Sequence, residues 1–133
     1  LAEQARKNKY HKYVDGHLIL KQGLLLKRRY LGWRALPRMF LLTEGPHLYY
    51  VDDEADERRG EVEWTEELKT EVIKPKIFYL HTPKRVYYLE DPSANAAKWC
   101  QIIEQVARHY FAEEAGSNSR KQSSPQIQQQ QPS

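Results

Sequence analysis

Between residues 17 and 90 the chain is a succession of short apolar runs, each closed by a turn, and this rhythm restricts the fold more than any other feature. The runs cover 17–26, 36–43, 47–52, 59–64, 69–73, 76–81 and 85–90, and they are dense in Tyr, Val, Ile and Leu. Glu44-Gly45-Pro46 is a turn, and Thr82-Pro83-Lys84 reads as a tight hairpin. Seven short strands at this spacing imply an antiparallel sandwich or barrel rather than βαβ units. One helix follows. Asp91-Pro92-Ser93 opens it, with Asp91 or Ser93 as cap and Pro92 in the first turn. Ala96, Trp99, Ile103, Val106 and Tyr110 then repeat at helical spacing over roughly five turns, giving an apolar face suited to closing one end of a barrel.

The flanks differ from this centre. Residues 1–14 are helix formers without Gly or Pro, and Leu1, Ala5, Asn8 and Lys12 share one thin face. They predict a short helix or an arm leaning on the domain, ended by Asp15-Gly16. Residues 113–133 turn to Glu, Gly, Ser, Asn, Gln and Pro, with Ile127 and Ala115 as the apolar exceptions, so a disordered tail is expected there. Ser124-Pro125 in that tail is a weak phosphorylation signal. A length of 133 residues suits one domain. The chain begins with Leu and shows no charged-then-apolar leader, so it reads as a piece of a longer protein without a signal peptide. Its lone Cys100 fits a reducing, intracellular setting, and no apolar run approaches the length of a transmembrane helix.

A net charge of +3 hides a strong asymmetry. Residues 1–43 carry a net charge of about +8, residues 44–75 about −7 and residues 76–133 about +2. Such a split suits an anionic partner (lipid, nucleic acid or an acidic protein) unless the two halves neutralise each other in the fold. Catalysis is not expected. Phosphate-binding glycine loops and the hydrolase elbow are missing, and the five His are scattered without metal-ligand spacing. Cys100 follows Trp99 on the predicted core helix and reads as a buried, inert thiol. The acidic run 52–57 lacks the glycine and final Glu of a calcium loop and reads as solvated. No catalytic residue, cofactor or metal is expected.

The chemistry concentrates between the first two strands. Lys27, Arg28, Arg29 and Arg34 flank Tyr30, Leu31 and Trp33, and Arg38 enters the second strand. Cations around an aromatic and aliphatic tip suit an anionic membrane surface, with charges at the headgroups and rings in the interface. Lys27 and Arg29 alternate along one edge and can converge on a ligand, while Arg28 points elsewhere. Ammonium and guanidinium groups offer phosphate monoesters several charge-assisted donors each.

A seven-stranded barrel closed by a Trp-bearing helix, with a basic first hairpin, resembles a pleckstrin homology domain over roughly residues 16–111. The residues carrying this are Leu20-Lys21-Gln22-Gly23, Trp33-Arg34, Arg38-Met39-Phe40-Leu41-Leu42-Thr43, Leu48-Tyr49-Tyr50 and Trp99. The unbroken run from Leu41 to Asp52, with Leu18-Ile19-Leu20-Lys21, His81-Thr82-Pro83, Tyr87-Tyr88-Leu89 and Lys98-Trp99-Cys100, narrows the resemblance to the C-terminal domain of phosphoinositide-dependent Ser/Thr protein kinases. It implies a mainly β fold: a barrel of seven antiparallel strands capped by a C-terminal α-helix, with a short N-terminal helical extension. It also implies a division into an extension packing on the barrel (1–15), the domain (16–112) and the tail (113–133). The implied ligands are phosphatidylinositol 3,4,5-trisphosphate and the 3,4-bisphosphate, bound at the inner face of the plasma membrane by an otherwise cytoplasmic kinase. Carried over by position, Lys27, Arg29, Arg38, Tyr50, Arg59 and Arg85 would hold phosphates, while Lys21 would sit below the pocket.

One departure bears on specificity. The family has Arg where this chain has Leu36, and the hairpin carries two extra residues, with Tyr30 in place of Gly. Arg34 is the candidate to compensate from the enlarged loop, and Arg28 is, with it, a further candidate ligand-binding residue. The expectation is weaker stereospecificity and more general acidic-lipid binding. Leu31 and Trp33 either insert into a membrane or pack in the core; Arg59 either binds a ligand or only neutralises its acidic neighbours; of Tyr49 and Tyr50, on opposite faces, one at most reaches the pocket. The acidic run should lie away from the pocket or else weaken it. No nucleic-acid partner is expected, because these strands should bury the aromatics that stacking needs. Two functions remain open: membrane targeting by phosphoinositide headgroups, or a protein-interaction module that docks the kinase domain or a second copy.

Overall fold

The structure, a computed structural model, describes residues 1–28 and 34–112. The expectations for Arg29, Tyr30, Leu31, Trp33 and the tail fall outside the described residues.

Seven strands form: β1 (Ile19–Arg28), β2 (Ala35–Thr43), β3 (His47–Asp52), β4 (Glu57–Glu61), β5 (Lys69–Lys74), β6 (Ile77–His81) and β7 (Val86–Glu90). They pair antiparallel in one sheet of order β4-β3-β2-β1-β7-β6-β5. The two halves of the sheet meet where Leu26–Arg28 of β1 pair with Tyr88–Glu90 of β7. Among the described residues β4 and β5 do not pair, so the sheet is not closed. The expected fold of seven antiparallel strands with a C-terminal helix is present.

Alternation along the strands builds the core. Leu25, Phe40, Leu42, Leu48, Tyr50, Phe78, Leu80, Tyr87 and Leu89 share one face and are buried against Trp99, Cys100 and Ile103 of helix α2 (Ala96–Ala107). Trp99 stacks on Phe78 with ring centroids 6.5 Å apart. It also lies against Gly23, where an added Cβ would come to 3.0 Å from its ring, so the ring would have to give way to any side chain there. The Lys21 ammonium sits 4.8 Å from the Trp99 ring centroid, a cation–π contact at the helix end of the core.

Residues 40–42 of β2 and 48–51 of β3 are buried on both faces, which explains the unbroken apolar runs there. The second face is covered by the N-terminal segment: Tyr10 and Val14 pack on Ile19, Leu41, Tyr49 and Val51. That segment is a helix α1 (Ala2–Lys7) followed by a 3₁₀ turn (Lys9–Tyr13). The chain leaves helical geometry at Asn8, whose side chain accepts a hydrogen bond from the Tyr10 N–H at 2.9 Å. This break takes the packing residues off the face formed by Leu1, Ala5, Asn8 and Lys12, and leaves Leu1 exposed. Gln4 instead ties α1 to β1, accepting from the Ile19 N–H at 2.8 Å and donating to the Ile19 carbonyl at 3.1 Å. Asp15 and Gly16 follow with φ of 51° and 84°, the left-handed turn that an Asp-Gly pair supplies readily.

Several boundaries differ from the sequence expectation, and β1 runs two residues later than the expected 17–26. β4 begins two residues early and ends at Glu61, although the Val62 N–H still bonds the Leu48 carbonyl at 2.8 Å. The helix starts at Ala96 with Asn95 before it. Asp91 and Ser93 do not cap it; the Asp91 carboxylate accepts from the Ser93 N–H at 2.8 Å and its hydroxyl at 2.6 Å, folding a local turn ahead of the helix. After Ala107 the last turn widens into a π-helical turn, Arg108–Ala112.

Candidate functional site

Strand register sets which cations converge. Leu25 pairs with Arg38 and Lys27 with Leu36, so Lys27 and Arg38 are diagonal neighbours on one face of β1 and β2. On β3 the same face carries Leu48, Tyr50 and Asp52, and Phe40 is paired with Tyr50. On β7 it carries Tyr87 and Leu89, with Arg85 two residues before Tyr87. These side chains meet at the end of the core away from Trp99, where the β3–β4 turn and the β6–β7 hairpin lie.

Two groups result. In the first, Tyr50 and Tyr87 pack edge to face, with centroids 6.2 Å apart. The Lys27 ammonium lies 5.3 Å from the Tyr50 ring centroid and 5.9 Å from that of Tyr87. The Arg85 guanidinium covers Tyr87 at 4.3 Å. Two cations thus bracket one aromatic pair. The hairpin fixes Arg85: its N–H donates to the Thr82 hydroxyl at 3.1 Å, and its carbonyl accepts from the Thr82 N–H at 2.9 Å. Arg85 makes no ion pair among the described residues. Burial pushes the Tyr87 phenol above its ordinary pKa, so it stays neutral beside these cations.

The second group is organised by a carboxylate. Asp52 Oδ2 lies 3.1 Å from Arg59 and 3.6 Å from Arg38, while Arg59 also meets Glu57 at 3.2 Å. Arg38 is nearly buried, with 13% of its side chain exposed, and donates to the Pro37 carbonyl at 2.8 Å. The other oxygen of Asp52 accepts from the Ala55 N–H at 3.1 Å. That backbone bond, with the Arg59 and Arg38 cations, holds the carboxyl below its usual range.

Sequence reasoning named Lys27, Arg38, Tyr50, Arg59 and Arg85, and the structure brings them to this end of the core. It missed Tyr87 and the part played by Asp52. Period-two alternation was the available signal, since Asp52 follows Tyr50 by two residues on β3. Arg28 faces away and pairs with Glu90 at 2.6 Å, and Arg34 is exposed just ahead of β2. Leu36 stands directly across from Lys27, so an apolar side chain occupies the centre of the basic rim. Of the acidic run, Glu57 stays on the rim with Asp52 through its pair with Arg59, while Asp53 and Asp56 turn to the N-terminal segment. Tyr10 donates to Asp53 at 2.6 Å, Lys9 and Lys12 pair with Asp53 and Asp56, and the Tyr13 hydroxyl donates to Asp56. The N-terminal segment thus neutralises the Asp53 and Asp56 side of the loop. Among the described residues no group of three His, Cys, Asp or Glu is placed to hold a metal ion. Cys100 is buried, and burial pushes its thiol up to about 11.

Comparison with known proteins decides the family. A family model described as PH domain matches residues 8–112. The chain belongs to the pleckstrin homology (PH) domain family. This PH domain is 49% identical over 111 residues to 3-phosphoinositide-dependent protein kinase 1 of Homo sapiens, and 47% identical over 110 residues to that of Caenorhabditis elegans. The alignments cover 84% and 83% of the chain but 20% and 17% of those proteins, so the PH domain spans about a fifth of the length of its curated relatives. It is a binding module, and the relatives are Ser/Thr protein kinases. Among solved structures, the C-terminal PH domain of human pleckstrin superposes with a TM-score of 0.61 at 22% identity, covering 69% of this chain and 81% of that one. The same pleckstrin domain in complex with D-myo-Ins(1,2,3,4,5)P5 gives a TM-score of 0.60 at 24% identity, covering 67% of this chain and 98% of that one. At these identities the likeness shows the fold. No helix among the described residues is long and apolar enough to cross a membrane.

Proposed function

We infer that this PH domain (residues 16–112, with residues 1–15 as an extension that belongs to its fold) binds phosphoinositide headgroups, phosphatidylinositol 3,4,5-trisphosphate and the 3,4-bisphosphate. In doing so it recruits an attached Ser/Thr protein kinase from the cytoplasm to the inner face of the plasma membrane. The observation that carries this reading is the bracketing of Tyr50 and Tyr87 by Lys27 and Arg85. An ammonium and a guanidinium held by hairpin and strand offer several donors to one or two phosphates, and the aromatic pair supplies a rigid floor. Arg38 and Arg59 extend the site, and Arg29 joins from the β1–β2 turn. Tyr30, Leu31 and Trp33 enter the interface while Arg34 meets acidic headgroups, a loop cation contributing about 1 kcal/mol near an anionic leaflet.

A specific observation keeps a second reading open. Leu36 faces Lys27, and Asp52 already neutralises Arg38 and Arg59, which lowers the charge that a headgroup meets. The second reading is an interaction module that docks the kinase domain or a second copy, with weak, non-stereospecific acidic-lipid binding. Sedimentation with vesicles separates the two. Binding that rises with trisphosphorylated lipid and falls in Lys27→Ala, Arg85→Ala supports headgroup recognition. Equal binding to vesicles of matched charge, unchanged by that double substitution, supports the second reading.

A further inference from the structure

We propose that Asp52 is a specificity-determining residue of the headgroup site, acting as a built-in anion that competes with phosphate for Arg38 and Arg59. The inference rests on the reading of this rim as a headgroup site, and goes further by naming the half whose arginines already hold a carboxylate.

Asp52 Oδ2 reaches both guanidinium groups, at 3.1 and 3.6 Å, from the position that a phosphate oxygen shared by the two would take. The carboxylate is not free to swing aside. Its Oδ1 is bonded to the Ala55 N–H, and the turn containing both is gripped from the other side by the N-terminal segment. There Tyr10 donates to Asp53 at 2.6 Å and Lys12 pairs with Asp56 at 2.7 Å. A phosphate approaching Arg38 and Arg59 therefore meets a fixed negative charge, and the two must repel or exchange. At the other half, the Arg85 guanidinium lies over the Tyr87 ring at 4.3 Å and makes no ion pair among the described residues, and a ring face attracts a cation without putting a fixed anion beside it. Phosphates that seat there are accepted; a further phosphate directed at Arg38 and Arg59 is disfavoured. The acidic run thus splits by position, with Asp53 and Asp56 anchoring the loop and Asp52 reading the ligand.

The test measures binding of inositol 1,3,4,5-tetrakisphosphate and of an inositol pentakisphosphate to the whole chain and to Asp52→Asn by titration calorimetry at low and high salt. Asn retains an acceptor for the Ala55 N–H, and Asp52→Ser, which also keeps an acceptor and removes the charge, serves as a second variant. Both substitutions are expected to tighten binding roughly tenfold at low salt, with the larger gain for the pentakisphosphate and a smaller one at high salt. Weaker binding in both variants would mean that Asp52 orients the arginines, and would overturn the proposal, as would unchanged affinity. If neither ligand binds the unsubstituted chain nor the variants, the headgroup reading fails and the proposal with it. If the unsubstituted chain binds, Lys27→Ala weakens it and Asp52→Asn does nothing, the proposal alone fails.

Discussion

Leu36 lies directly across the β1–β2 ladder from Lys27, the cation at the centre of the basic rim. An apolar side chain at that register position gives a phosphate no donor where its neighbour offers three. Leu36→Arg is expected to tighten inositol phosphate binding. One charge-assisted hydrogen bond is worth about 1.5–3 kcal/mol, which corresponds to a gain of about tenfold to a hundredfold or more. Titration calorimetry on the variant checks this, and an unchanged or weaker affinity would place the ligand elsewhere on the rim.

Gly60 pairs with Tyr50 across β3 and β4, and a Cβ there would fall 2.5 Å from the Tyr50 hydroxyl. Gly60→Ala should push the Tyr50 ring against Lys27 and cost about 1–3 kcal/mol of stability. Headgroup binding should weaken along with it. Urea denaturation and ligand titration on the same sample measure both effects, and full affinity in the variant would remove Tyr50 from the site.

The N-terminal segment should act as part of the fold. Val14 is fully buried beneath it, and Val14→Ala removes about two methylene equivalents, or about 2 kcal/mol. Tyr10→Phe removes the hydroxyl that donates to the half-exposed Asp53 and should cost about 1 kcal/mol. Both are read from denaturation midpoints. If neither shifts the midpoint, the segment is not bound in solution as the structure shows.

Much of this architecture could be read directly from the chain. The strands at 47–52 and 36–43 stand out because residues 40–42 and 48–51 are apolar on both faces and are separated by a strong turn signal. Trp99 is recognisable because helical spacing puts it in line with Ile103 and Val106. The segment before Asp15 was harder to read, because its helix breaks at Asn8 and a single helical period across residues 1–14 points at the wrong face. The rim was half legible. Cations can be counted in a sequence, but a carboxylate in an acidic run reads as solvated until strand parity assigns it a face. Asp52 is the last residue of β3 and shares the face of Tyr50, whereas Asp53 and Asp56 lie in the turn and meet Tyr10 and Lys12.

Acid should release the N-terminal segment before it opens the core. Asp15, bonded by Arg58, and Asp56, bonded by Lys12 and Tyr13, are held below their ordinary pKa, as is Asp52 through the Ala55 N–H. Since the folded values are depressed, the stability they contribute is present above about pH 4 and lost as pH falls through those values. Amide exchange or tyrosine fluorescence against pH should show residues 1–14 loosening while the β6–β7 core stays protected. A single transition common to both would contradict this.

Cys100 offers a simple probe of the main core. Its thiol is buried and pushed up to about 11, so a thiol-specific reagent at neutral pH should modify it only as fast as α2 opens. Modification at the rate of a free thiol in the folded protein would contradict the burial of that helix face.

The central claim is that Lys27 and Arg85 form the phosphate site over the Tyr50–Tyr87 pair, and one titration tests it most directly. Inositol 1,3,4,5-tetrakisphosphate should bind the unsubstituted chain with one site, and Arg85→Ala should weaken it about tenfold or more, since a hydrogen bond to a charged group is lost. The same affinity in Arg85→Ala, with the fold intact by circular dichroism, would contradict the account.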